Sequence, residues 1–194
     1  MPLNVPNILT LIRIALIPIL VGVYLTPIAA VNVIVTAIFI AAAVTDWLDG
    51  FLARRLNQNS AFGAFLDPVA DKLIVATALV LLATDPWIME HVIHRSVFTI
   101  AATIIIGREI AISALREWMA EIGKRASVAV SVVSKIKTVM QMVAIGMLLY
   151  REELFEIPTF MVGEWLLYLA AGLTAWTMFV YLRAAWPSLT NHDS

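Results

Sequence analysis

The sequence predicts an all-α integral membrane protein, with six transmembrane helices in a single domain over residues 1–194. Three observations carry that expectation. The chain is 61% hydrophobic and only 14% charged, whereas a soluble domain is roughly 45–50% apolar even with glycine counted. Six apolar segments follow one another, each about as long as the ~20 residues a bilayer-spanning helix needs. The basic residues that separate them gather at alternate ends, as positive-inside sorting requires.

The first segment, residues 8–26, follows "MPLNVPN", which has no basic n-region, and Arg13 interrupts it; it reads as a retained helix rather than a cleaved signal. The second and third, 29–48 and 62–83, are joined by the short connection "RLNQNSAFG" and are therefore expected to be antiparallel neighbours. The fourth, 97–115, contains Arg108 and Glu109; the fifth and sixth cover 128–150 and 160–182. Little chain is left between them, so no linker, low-complexity tract or repeat is expected. With the N-terminus in the cytoplasm, the inner side receives Arg54, Arg55, Lys72, Arg116, Lys124, Arg125, Lys135, Lys137 and Arg183, against Arg95 and Arg151 outside. Asp85, Glu90, Glu152, Glu153 and Glu156 fall in the outer loops.

A net charge of −1 argues against a nucleic-acid partner, which needs a strongly basic surface. The absence of cysteine removes disulfides, thiolate catalysis and thiolate metal sites.

Against this apolar background, "TDWLDGFLARRLNQNSAFGAFLDPVADK" places four aspartates at the cytoplasmic ends of helices 2 and 3. Asp46 and Asp49 are i,i+3, and Asp67 and Asp71 are i,i+4, so each pair shares a helix face. Antiparallel neighbours bring the two pairs together, where four anions repel. Divalent cations resolve the conflict, and an all-oxygen ligand set suits Mg²⁺ or Mn²⁺ rather than zinc. Mg²⁺ usually shares its coordination with substrate phosphate, so a phosphate-bearing ligand is expected. Gly50 permits close backbone approach, and Arg54 one turn on offers a guanidinium fork to phosphate. The alternative is a salt-bridge cluster of Asp46 and Asp49 with Arg54 and Arg55, which leaves Asp67 and Asp71 unexplained.

Residues 46–71 spell D-x2-D-G-x2-A-R-x8-G-x3-D-x3-D through Asp46, Asp49, Gly50, Ala53, Arg54, Gly63, Asp67 and Asp71. This resembles, at all eight positions, the signature of the CDP-alcohol phosphotransferases, membrane enzymes that move a phosphoalcohol unit from a CDP-linked donor to an acceptor alcohol and release CMP. The resemblance implies that family's fold, a homodimer, and a centre of two metal ions held by Asp46, Asp49, Asp67 and Asp71. It makes Asp71 the base that takes the acceptor hydroxyl proton. It places Gly50, Arg54, Ser60 and Gly63 at the donor, and extends the donor contact to Asn7 and Thr10 in "PNILT", which otherwise read as caps of helix 1.

Arg108 and Glu109 lie well inside helix 4, at a depth where ionisable groups are usually functional, although pairing with each other or with a neighbouring helix is the plainer reading. Lys124 and Arg125 read as orientation and headgroup contacts. Arg108, Arg116, Lys135 and Lys137 descend to the same face as the aspartates and suit a basic cavity for a phosphate on the acceptor. "GREIAISALREWMAEIGKRASVAVSVVSKIKT" is similar to the matching stretch of the bacterial phosphatidylglycerophosphate synthases. That likeness runs from "NVPNILTLIR" to helix 6. It implies CDP-diacylglycerol as donor and sn-glycerol 3-phosphate as acceptor, in the bacterial inner membrane with the site facing the cytoplasm and the membrane lipids. Another acceptor of the class, such as inositol phosphate, is the alternative.

Val44, Phe65, Leu66, Leu73 and Ile74 suit either a lipid groove or packing between helices, and Trp47 reads as interfacial belt. Two other functions compete. A membrane prenyltransferase needs a second aspartate-rich motif, which the sequence lacks; a cation transporter predicts flux without CMP release.

Overall fold

The computed structural model describes residues 5–56, 61–121 and 132–190. Ser60, Lys124 and Arg125 lie outside them, as do the side chains of Trp47, Asp49, Gly50, Arg54, Arg55, Gly63, Phe65, Asp67 and Lys135. Seven helices are present among the described residues: α1 Val5–Tyr24, α2 Val31–Leu56, α3 Ala61–Thr84, α4 Pro86–His91, α5 Arg95–Glu121, α6 Val132–Tyr150 and α7 Thr159–Thr190. The six expected apolar segments fall on α1, α2, α3, α5, α6 and α7. The addition is α4, whose start follows from local chemistry: Asp85 accepts a 3.0 Å hydrogen bond from the Ile88 N–H, and Pro86 occupies the first helical position.

By length and composition, α1 over Asn7–Tyr24, α5, and α7 over Thr159–Arg183 are long and apolar enough to cross a membrane; Val31–Asp46 and Ile136–Tyr150 are shorter apolar stretches. Outward-facing Ile19, Ile40, Val80, Ile100, Val139 and Trp176 give the molecule an apolar exterior. A soluble fold would expose polar groups there, and a lipid-facing one has no such need. At 26 residues, α2 runs for about 39 Å. Its polar C-terminal third therefore projects beyond its apolar stretch.

Helix contacts close a ring. α1 packs on α2, α2 on α6, α6 on α7, α7 on α5, α5 on α3, and α3 back on α1. Leu20, Phe39, Ile74, Leu79, Phe98, Ile105, Ile145, Leu148 and Leu167 fill the interior, each almost wholly buried. α6 and α7 approach closely where Gly163 faces Met147: a Cβ at Gly163 would lie 2.9 Å from the Met147 Cβ and 3.1 Å from the Ala144 carbonyl oxygen. Small residues at such crossings let backbones close together in lipid.

At the ring end away from Asp46 and Asp71, a polar lock ties three elements. Tyr24 Oη donates to Asp85 Oδ2 at 2.7 Å; Arg151 Nη2 donates to the same oxygen at 2.7 Å and to Tyr24 Oη at 2.8 Å. The Arg151 guanidinium also lies 5.2 Å from the Trp87 ring centroid. Arg151 adopts a left-handed backbone conformation (φ 66°) immediately after α6. Nearby, buried Glu164 on α7 accepts the Ile93 N–H at 2.9 Å and so holds the α4–α5 connection against α7.

Candidate active site

The C-terminal part of α2 and the N-terminal part of α3 stand side by side with α1 and α5, and ionisable groups meet where they do. Asp46 on α2 is paired with Arg13 on α1, Nη1 to Oδ1 at 2.7 Å. The two partners differ in exposure: the Arg13 side chain is 1% exposed and that of Asp46 45%. One carboxylate oxygen is thereby held by a buried guanidinium, while the group as a whole stays accessible. Asp71 on α3 faces the same cluster, and the charges of Asp46, Arg13, Glu109 and Lys72 all act on it. Lys72 itself donates to Ser113 Oγ on α5 at 2.7 Å.

Of the four expected metal ligands, the structure thus brings Asp46 and Asp71 to one place. The side chains of Asp49 and Asp67 lie outside the described residues, and without them no three metal-ligating groups converge among the described residues. What is described fits a hard divalent cation: two carboxylates in mutual electrostatic range, one of them half-exposed, and no softer donor. Arg54 and Arg55 fall outside the described side chains, and the described partner of Asp46 is Arg13. Asn7 and Thr10 are buried inside α1, the third and sixth residues of Val5–Tyr24. A capping role does not describe a residue as far into the helix as Thr10.

A cavity of about 470 Å³ opens beside Asp71, lined by Pro68, Lys72, Arg108, Glu109, Arg116 and Gln141 among others. Glu109 is the hinge of its charge pattern: Oε1 accepts from Arg108 Nη1 at 3.0 Å and from Lys137 Nζ at 2.7 Å. The plainer reading of Arg108 and Glu109 is therefore met in part, since they do pair, but the pairing leaves donors over. Arg108 Nε and Nη2 and Arg116 Nε are buried without a hydrogen-bond partner among the described residues. Tyr181 on α7 supports both guanidinium groups with its ring face, at 5.8 Å from Arg108 and 5.5 Å from Arg116. Lys137 is fully buried behind Glu109, and its ammonium feels both arginines. The Lys135 side chain is outside the described residues.

Buried, unsatisfied guanidinium N–H groups cost free energy unless an anion meets them. The cavity therefore pairs an anion-seeking wall from α5 with a carboxylate from α3. Sequence reasoning singled out Arg108, Arg116, Lys137 and Asp71, and it missed Arg13 as a partner of Asp46. The signal was present, because an ionisable residue inside an apolar helix points to function. The identity of its partner, on another helix, was not.

Comparison with known proteins identifies the family. The sequence profile described as CDP-alcohol phosphatidyltransferase matches residues 3–176. A Yersinia pestis (strain Pestoides F) protein named CDP-diacylglycerol–glycerol-3-phosphate 3-phosphatidyltransferase is 53% identical over 190 residues, covering 97% of this chain and 98% of that protein. A Salmonella choleraesuis (strain SC-B67) protein of the same name is 52% identical over 185 residues, covering 95% and 96%. Since the profile spans nearly the whole ring of helices and the identity exceeds one residue in two, the chain belongs to the CDP-alcohol phosphatidyltransferase family.

Proposed function

We propose that the protein transfers the phosphatidyl group from CDP-diacylglycerol to sn-glycerol 3-phosphate, giving phosphatidylglycerophosphate and CMP. Relatives that match it from end to end are named for that reaction. The structural observation that carries the reading is the shared cavity, in which Asp71 faces Arg108 and Arg116 with their unsatisfied N–H groups.

In this reading Arg108 and Arg116 grip the acceptor phosphate, with Lys137 and Lys135 adding positive charge. The acceptor hydroxyl is thereby directed at Asp71, which takes its proton as the oxygen attacks the β-phosphorus of the donor. The bond from that phosphorus to the bridging oxygen breaks, and CMP leaves with the electron pair. Asn7, Thr10, Gly50, Arg54, Ser60 and Gly63 contact the donor. Asp46, Asp49, Asp67 and Asp71 would hold two divalent cations, Mg²⁺ or Mn²⁺, which when bound neutralise charge on the pyrophosphate. Arg13 keeps Asp46 oriented toward that centre. α1, α2, α3, α5, α6 and α7 form six spans in a bacterial inner membrane, with the site at the cytoplasmic face, and the functional unit is a homodimer.

The test is CMP release by purified protein in detergent with Mg²⁺, CDP-diacylglycerol and glycerol 3-phosphate. Omitting any one component should abolish release; CMP formation independent of glycerol 3-phosphate would refute the assignment of the acceptor.

A further inference from the structure

The cavity wall contains a polar group that neither phosphate binding nor proton transfer uses. Gln141 on α6 is 3% exposed and lines the cavity together with Asp71, Arg108 and Arg116. Its Oε1 is buried with no hydrogen-bond partner among the described residues. The lining residues Val75 and Met142 are apolar, and Thr138, three residues before it on α6, does not satisfy that oxygen either. A buried amide serving only to pack would be satisfied by backbone or side chain, because an orphaned carbonyl oxygen is costly.

Its position suggests what satisfies it. Lys137 and Gln141 are i,i+4 on α6, so they share a face with Cβ atoms about 5–6 Å apart. Arg108 and Arg116, which line the cavity, fix the phosphate end of an acceptor, and Asp71 marks its reacting hydroxyl. Gln141 lines the same cavity as both arginines and Asp71, so an acceptor held between them passes beside its amide. A carboxamide offers an acceptor at one end and a donor at the other, and a hydroxyl complements either.

We infer that Gln141 reads the second, non-reacting hydroxyl of a polyol phosphate, and so determines which phosphorylated alcohols serve as acceptor. The inference rests on the proposed transferase reading and deepens it: the site selects a vicinal diol monophosphate, not merely any phosphorylated alcohol. An acceptor without that hydroxyl leaves the amide unpaired in the occupied cavity. A site built to bond a hydroxyl discriminates strongly against such an analogue.

The experiment compares glycerol 3-phosphate with 3-hydroxypropyl phosphate, which keeps the reacting hydroxyl and the phosphate but carries hydrogen at the central carbon. In the wild-type protein kcat/KM should favour glycerol 3-phosphate by about tenfold or more. In Gln141→Met, of similar length but without hydrogen-bonding groups, that ratio should fall to near one, chiefly through loss with glycerol 3-phosphate. A merely structural glutamine would lower both acceptors alike and leave the ratio intact, which overturns the inference. Should Gln141→Met fail to fold, the wild-type ratio still decides: equal use of the two acceptors overturns it, and discrimination supports it. Failure of the wild-type protein to use glycerol 3-phosphate at all defeats the transferase reading itself, and this inference with it.

Discussion

Arg13, a buried charge, holds one carboxylate of the proposed site. A guanidinium deep in an apolar helix is held there by compensating charge, and it forms an ion pair with Asp46 at 2.7 Å. Replacing Arg13 with Met releases the Asp46 carboxylate into several orientations. We expect kcat/KM to fall by tenfold or more and the Mg²⁺ concentration for half-maximal rate to rise, with partial recovery in Arg13→Lys; unaltered Mg²⁺ dependence would dismiss the positioning role. Asp71→Asn removes the proposed base while keeping shape and volume. Turnover should be lost while expression, membrane insertion and thermal midpoint stay close to the parent. At this scale the sequence was most informative where a pattern repeats at helical spacing. The four aspartates stand out because i,i+3 and i,i+4 spacings define helix faces, and of them the structure brings Asp46 and Asp71 to one place. The Arg13–Asp46 contact was not legible, because it joins residues on different helices and no local spacing encodes it. Gln141 was hidden for another reason: a lone amide in an apolar helix carries no pattern at all.

Among the elements, α4 and the Arg151 turn matter most for joining the helices at the end away from the active site. Asp85 precedes Pro86, a combination that marks a helix start, and the structure gives its carboxylate three donors: the Ile88 N–H, Tyr24 Oη and Arg151. Partial burial pushes the Asp85 carboxyl up, but the bonds from Ile88, Tyr24 and Arg151 outweigh it and hold the group below the usual aspartate range. The sign of the pH effect follows. A group with a depressed native pKa contributes stability above its unfolded value and loses that contribution as pH falls through the native value. The lock should therefore hold at neutral pH and weaken below about pH 4. Thermal unfolding in detergent across that range should show an acid limb that is shallower in Asp85→Asn, which is also less stable than the parent at neutral pH. Equal acid limbs would remove Asp85 from the account. This end of the ring, opaque in the sequence, thus contains a structural device in which Asp85 meets Tyr24 and Arg151, 61 and 66 residues away.

For the whole molecule, the existence of the long helices was legible because runs of apolar residues are a length signal. Their order around the ring was not. Helices apolar on every side carry no stripe that says which neighbour each face meets, and only short connections, such as that between α2 and α3, predict adjacency. The direction of the ring across the membrane is the remaining global property, and charge bias decides it. Because the chain contains no cysteine, single-cysteine variants report it without background. Glu90 in α4 and Glu121 at the end of α5 are both exposed and lie at opposite ends of α5. In whole cells with a permeable outer membrane, a membrane-impermeant maleimide should label Glu90→Cys directly and Glu121→Cys only after the inner membrane is opened. The proposed acceptor-binding residues Arg108 and Arg116 lie along α5 toward Glu121, so this pattern would place acceptor binding on the cytoplasmic side, where a water-soluble phosphorylated acceptor reaches the cavity without crossing lipid. The inverse labelling pattern would turn the site outward and would contradict the orientation that the nine inner basic residues predict.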